Sequence, residues 1–168
     1  MKTTHQLQNL QKYSHIKHGF SLKSDGNMSL MWGPKNEVIK NRLNFLQKLE
    51  IDPQKSVMMT VKHSDEVKIV TKKDAGLGMN DLETAIPVDA LITNEKNIFL
   101  CLQIADCLPI LFFDPVQNVI AIGHMGWLGT DKKLAPKIVM QMNKNFKSLP
   151  QNIIVGIGPG IHKESYIF

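Results

Sequence analysis

The side chains of this sequence best suited to chemistry are His63, Cys107 and His124. Each follows a stretch of strand-like composition: Val57 to Val61, Ile98 to Ile104, and Val119 to Gly123. Strand ends can converge in a folded sheet, and two imidazoles with one thiolate form a donor set that suits Zn²⁺. Three protein ligands leave a fourth position for water or substrate, the pattern of a catalytic zinc site. Taken singly, the same residues have plainer readings, Cys107 as a small buried hydrophobe and each histidine as a hydrogen-bonded polar group. A second chemistry makes Cys107 a nucleophile with His124 as its base, as in an amidase or deamidase.

Neighbouring residues extend both readings. Asp106-Cys107-Leu108-Pro109 places a carboxylate inside the apolar run from Ile98 to Phe113, which is costly unless Asp106 finds partners. It could accept a hydrogen bond from the second ring nitrogen of a ligating histidine, fixing the tautomer, or cap a turn through backbone N–H groups. Gly126 and Gly129 bracket Trp127 just before a helix, so that free N–H groups there, with Thr130, could meet phosphate. Glycine before a helix is common, however, and Trp127 could equally pack in the core. Arg42 is the sole arginine among 20 basic residues, and only an arginine offers a bidentate grip on an anion. Its plainer reading is a solvated helix residue.

The elements that must position these residues are legible in part. From Asn36 to Glu50 the apolar residues Val38, Ile39, Leu43, Phe45, Leu46 and Leu49 recur at helical spacing, with Asn36 as N-cap. Val57 to Val61, Val67 to Thr71, Ile98 to Ile104 and Pro109 to Phe113 read as strands. Asp114 to Asn118 reads as a turn leading into a strand from Val119 to Gly123, which makes a hairpin. A second helix, capped by Thr130 or Asp131, carries Leu134, Ile138, Met142 and Phe146 on one face, with Pro136 confined to its first turn. Asn152 to Ile157 is a last strand. Helices on a mixed or antiparallel sheet, in one α/β (α+β) domain, are the expected architecture.

Composition narrows the function. The 168 residues, 43% of them apolar, suffice for a single domain with a real core. The net charge of +5 comes from scattered lysines, so no nucleic-acid partner is expected. No secretory signal precedes Phe20, and Gln103, Asp106 and Pro109 interrupt the longest apolar run, so neither export nor a membrane partner is expected. Two cysteines close in sequence suggest reduced thiols and a cytoplasmic location. The oligomeric state stays open, a homo-oligomer included.

Four segments together carry a resemblance to a known family. They are Asp89-Ala90-Leu91-Ile92-Thr93, Ile104-Ala105-Asp106-Cys107-Leu108-Pro109, Gly123-His124-Met125-Gly126-Trp127-Leu128-Gly129-Thr130 and Ile157-Gly158-Pro159-Gly160-Ile161. In order and spacing, from about His18 onward and with Asn41-Arg42 in the first helix, they resemble the laccase-domain purine nucleoside phosphorylase family, which includes the peptidoglycan editing factors. The resemblance implies a layered α/β sandwich related to bacterial toxin cysteine hydrolases, and zinc on His63, Cys107 and His124. It also implies phosphorolysis of adenosine, inosine and methylthioadenosine, with adenosine deamination, so a purine nucleoside and phosphate are the expected ligands. Met125 and Leu128 stand where the family has alanine and arginine, Val61 where it has glutamine, and Glu164-Ser165 where a cysteine pair often precedes the tyrosine matched by Tyr166. Relatives continue past Phe168, so residues 1–168 are expected to form one domain without the family's C-terminal segment. Six histidines, three of them (His5, His15, His18) near the N-terminus, are too few for a multicopper centre, which leaves copper less suited than zinc.

Overall fold

The structure is a computed structural model that describes residues 5–166. Residues 1–4, 167 and 168, which belong to the expected 1–168 domain, lie outside the described residues. Strand β1 (Ser56–Thr60) is the centre of a small parallel sheet, flanked by β3 (Ile86–Pro87) and β5 (Phe99–Leu102). The larger sheet has the order β2-β4-β7-β6-β8, built from Val67–Ile69, Ala90–Thr93, Val119–Met125, Leu108–Asp114 and Ile154–Ile157. Its β2–β4 pair is parallel and its other pairs are antiparallel.

Side-chain alternation along each strand decides how the sheets stack. Val57 and Met59 of β1 meet Leu91 of β4 and Ile122 of β7, so one core lies between the two sheets. Met58, pointing the other way, packs with Leu46 of helix α2 (Lys35–Lys48). On the outer face of the large sheet, Ala90, Ile92 and Ala121 receive the fully buried Leu134, Ile138 and Met142 of α4 (Leu134–Phe146). The result is one four-layer domain, helix–sheet–sheet–helix, with two further short helices, α1 (Gln8–Gln11) and α3 (Trp127–Asp131). Among the described residues no helix is long and apolar enough to cross a membrane.

Several expected boundaries move for physical reasons. Helix α2 begins at Lys35 with Pro34 in the N-cap position, not Asn36, and no side chain caps it. The second helix splits: Lys133 takes a left-handed conformation (φ 58°) and separates α3 from α4, so neither Thr130 nor Asp131 caps α4. Pro136 does fall in the first turn of α4, where its missing N–H has no intrahelical partner to lose. The hairpin is present, with Asp114 paired to Val119 and the Asp114 carboxylate accepting the Val116 and Gln117 N–H groups. Strands β3 and β4 are additions to the sequence reading.

The N-terminal arm is fastened to the edge strand β8. Asn9 donates its side-chain amide to the Val155 carbonyl at 2.9 Å, and Leu7 lies over Gly156 so closely that a Cβ there would collide with Leu7 Cδ1. The arm is held in turn by buried His18, whose Nε2 accepts the Leu7 N–H at 3.0 Å. The same Nε2 lies 3.3 Å from the Leu7 carbonyl, and Nδ1 is buried without a partner. Burial therefore lowers the His18 pKa below its ordinary 6.5, outweighing the opposing contribution of the Leu7 backbone. The unfolded chain takes up a proton near pH 6.5 that folded His18 refuses. Stability from this site is thus complete above pH 6.5 and is lost as the pH falls towards the lowered value. Urea midpoints should drop between neutral and mildly acidic pH in the native protein, and by less in His18→Gln.

Candidate functional site

The three candidate donors lie where the two sheets meet at one end of the sandwich. His63 is in the loop after β1, at φ 56°, with an exposed side chain. Cys107 immediately precedes β6, and its N–H bonds to the Ala105 carbonyl at 2.8 Å. His124 does not follow a strand, as the sequence suggested. It lies within β7, paired with Pro109, and is 3% exposed.

The residue that organises the site is Asp89, just before β4 and fully buried. Its Oδ1 accepts the His63 N–H at 3.0 Å and His124 Nδ1 at 2.9 Å. Oδ2 accepts the N–H groups of Lys62 at 3.2 Å and Ser64 at 2.8 Å, and the Ser64 hydroxyl at 2.7 Å. The Asp89 carbonyl also accepts the His124 backbone N–H at 2.9 Å. One side chain thus ties the loop after β1, in the small sheet, to β7 of the large one. Burial alone would raise its pKa, but hydrogen bonds from His124, Ser64 and Lys62 outweigh burial and hold the carboxyl below the usual range.

The consequence for His124 is chemical. With Nδ1–H committed to Asp89, Nε2 keeps its lone pair, the tautomer of a metal-ligating histidine backed by a carboxylate. Nε2 looks towards Gly126. A Cβ on Gly126 would lie 3.3 Å from Nε2, 3.1 Å from Cε1 of the same ring and 3.4 Å from Cys107 Sγ. The missing side chain is therefore a space onto which a nitrogen and a sulfur donor both open. The His63 and His124 rings are 5.2 Å apart at 87°. Two imidazoles sharing a tetrahedral zinc at about 2.0–2.1 Å from each nitrogen have ring centres about 5 Å apart, so this spacing suits joint ligation as well as an edge-to-face contact. Among the described residues no three such side chains form a ready-made cage. Of the three, His63 is the one whose side chain is exposed.

The remaining candidates go elsewhere. Asp106 does not orient His124. Its backbone is left-handed (φ 68°), its side chain is exposed, and its carbonyl accepts the Ile161 N–H at 2.7 Å. Arg42 is 4% exposed and gives Nε to the Met28 carbonyl, Nη1 to the carbonyls of Gly78 and Met79, and Nη2 to Gln103 Oε1. Four of its five N–H groups are spent within the protein, so the fork expected to grip an anion clamps α2 to three segments instead, at Met28, Gly78-Met79 and Gln103. Gly129 is buried, with room for a Cβ only 3.1 Å from the His124 carbonyl, and Thr130 donates its hydroxyl to the Gly126 carbonyl. Both shape the turn under His124. Trp127 is 72% exposed and does not join the core. Cys107 has its pKa raised, first by burial and then by the Asp106 charge, and burial pushes the core thiol of Cys101 up to about 11. Neither is activated as a free nucleophile.

Comparison with known proteins agrees with this architecture. The purine nucleoside phosphorylase YlmD of Bacillus subtilis is 37% identical over 131 residues, which are 77% of this chain and 47% of the relative. The YlmD of Geobacillus stearothermophilus is 35% identical over 150 residues, 86% of this chain and 55% of its own. The crystal structure of the Bacillus licheniformis hypothetical protein YfiH superposes with a TM-score of 0.81 at 34% identity, over 83% of this chain and 53% of that one. This chain thus spans about half the length of the curated relatives it matches. The profile of the family described as multi-copper polyphenol oxidoreductase laccase matches residues 17–168, and with these relatives it shows that the chain belongs to that family.

Proposed function

We propose that this domain is the zinc-binding part of a purine nucleoside phosphorylase, with His63, Cys107 and His124 as ligands. The observation that carries the reading is the Asp89–His124 pair, whose free Nε2 opens with Cys107 Sγ onto the space left by Gly126. Nitrogen and sulfur donors of this kind suit zinc, and one thiolate with two imidazoles does not make a multicopper centre. What zinc supplies when bound is Lewis acidity towards an anionic oxygen.

The chain's own residues do the rest. Asp89 fixes the tautomer and direction of His124, and Gly126 keeps side chains out of the space where substrate must come. In phosphorolysis a phosphate oxygen displaces the purine from the ribose anomeric carbon, giving ribose 1-phosphate and free base. The names of the relatives support this reaction. Adenosine, inosine and methylthioadenosine are the substrates proposed, with adenosine deamination as a side activity, in a cytoplasmic protein whose cysteines are free. Leu128 cannot contact phosphate as an arginine would, and Arg42 is committed elsewhere, so phosphate affinity is expected to be weak.

Purified protein should carry about one zinc per chain, as a three-ligand open site does. Cys107→Ala and His124→Ala should lose the metal and phosphate-dependent hypoxanthine release together; Cys107→Ala should keep its urea midpoint, whereas His124→Ala, which strips a buried partner from Asp89, should also lower it. Retention of zinc in both variants would refute the ligand assignment. Release that does not depend on phosphate would replace phosphorolysis with hydrolysis.

A further inference from the structure

Exposed apolar side chains gather beside the candidate site. Trp127, at 72% among the most exposed large apolar residues, is the first residue of α3 and directly follows Gly126. Their Cα atoms are therefore about 3.8 Å apart, so the indole is attached one residue along the chain from the glycine that His124 Nε2 and Cys107 Sγ both face. Leu108, 40% exposed, opens β6 next to Cys107 and pairs with Met125. Because β6 runs antiparallel to β7, the start of one and the end of the other meet at the same end of the sheet. Among the described residues no aromatic ring stacks on Trp127. An indole left in water next to polar donors is an unusual placement, since tryptophan contributes more apolar contact area than nearly any other side chain.

We propose that Trp127 is the platform on which the purine base stacks, and hence a specificity-determining residue for the nucleoside. The ligand class rests on the phosphorylase reading; the placement of the indole does not. A nucleoside is complementary to such a site, with a flat aromatic face for the indole and a polar sugar for the donors beyond Gly126. Aromatic stacking grows with ring area and is indifferent to exocyclic groups, so adenosine and inosine should bind alike and uridine less well.

The sequence has two tryptophans, so a Trp32→Phe background leaves Trp127 as the only indole. Without phosphate, inosine and adenosine should quench its fluorescence to saturation, and free ribose should not. Trp127→Ala should weaken inosine binding by calorimetry about 5- to 150-fold, the range that loss of one base stack corresponds to. Trp127→Phe should restore most of it. Melting temperature and zinc content should be unchanged in both, which a structural role would not permit. Absence of quenching, or equal affinity in Trp127→Ala, overturns the proposal. So does a change of oligomeric state in Trp127→Ala without loss of nucleoside affinity, which would make the indole a protein contact. Quenching and its loss without any turnover would keep the stacking role and remove phosphorolysis; turnover with KM unchanged in Trp127→Ala would do the reverse.

Discussion

Replacing Asp89 with alanine should destabilise the fold by about 3–5 kcal/mol, the usual result of removing one partner from a buried charged network. A domain of this size is stable by only about 5–15 kcal/mol, so the variant should be partly unfolded at moderate temperature. The reason is local: five donors, from Lys62, His63, Ser64 twice and His124, converge on its two oxygens. Asp89→Asn is the sharper test. Whichever way the amide is turned, its NH₂ faces at least two of those donors, so the conservative change should still destabilise and should weaken metal binding about 10- to 100-fold through the loss of an oriented His124. Urea midpoints and metal titration check the two effects separately. The pH dependence has a definite sign. Because the folded carboxyl titrates below its ordinary 3.8, its contribution is complete above that value and fades as acid brings the pH through the lowered one. The gap between native protein and Asp89→Asn should therefore narrow in acid.

Arg42→Met should lower stability by a similar amount, with a melting-temperature drop on the order of 10 °C, and leave the zinc content unchanged. Removing the guanidinium strands the carbonyls of Met28, Gly78 and Met79 and unties two loops from α2. One of those loops depends on it doubly. Gly78 is left-handed (φ 72°), and a Cβ there would meet Ala85 and Met58 at 2.8 Å, so the turn that presents its carbonyl admits only glycine. Arg42→Lys keeps the charge, but one ammonium cannot span four acceptors, and it should recover only part of the loss. A variant with raised phosphate KM and unchanged melting temperature would restore the anion-binding role that the sequence suggested.

Residue type made the donors legible. A histidine and a cysteine in strand-rich surroundings pointed to the site, and the helical spacing of Val38, Leu46 and their neighbours pointed to α2. What partners them was not legible, because tertiary structure sets it. The sequence offered Asp106 either as the histidine's companion or as a turn cap, whereas the carboxylate that serves His124 is 35 residues away, brought in by the β4–β7 pairing. The left-handed turn at Asp106 has no sequence mark, since aspartate tolerates that conformation without requiring it. Strand β4 escaped detection for a related reason. Its four residues are buried on both faces, so Ala90 to Thr93 shows no alternation to read. Arg42 misled because a lone arginine looks the same in sequence whether it faces an anion or its own backbone.

The arm fastened across β8 also bears on self-association. Among the described residues the outer edge of that strand has no ladder partner beyond β6, and Val155 and Ile157 are exposed on it. An edge of that composition is a template on which a foreign strand, or the same strand of another copy, can add by main-chain pairing. Asn9, by taking the Val155 carbonyl, and Leu7, by covering Gly156, occupy it with a segment too short and irregular to be extended further. Cleavage that frees residues 5–12 would thus turn a solubility problem solved within one chain into a nucleus for strand-by-strand growth.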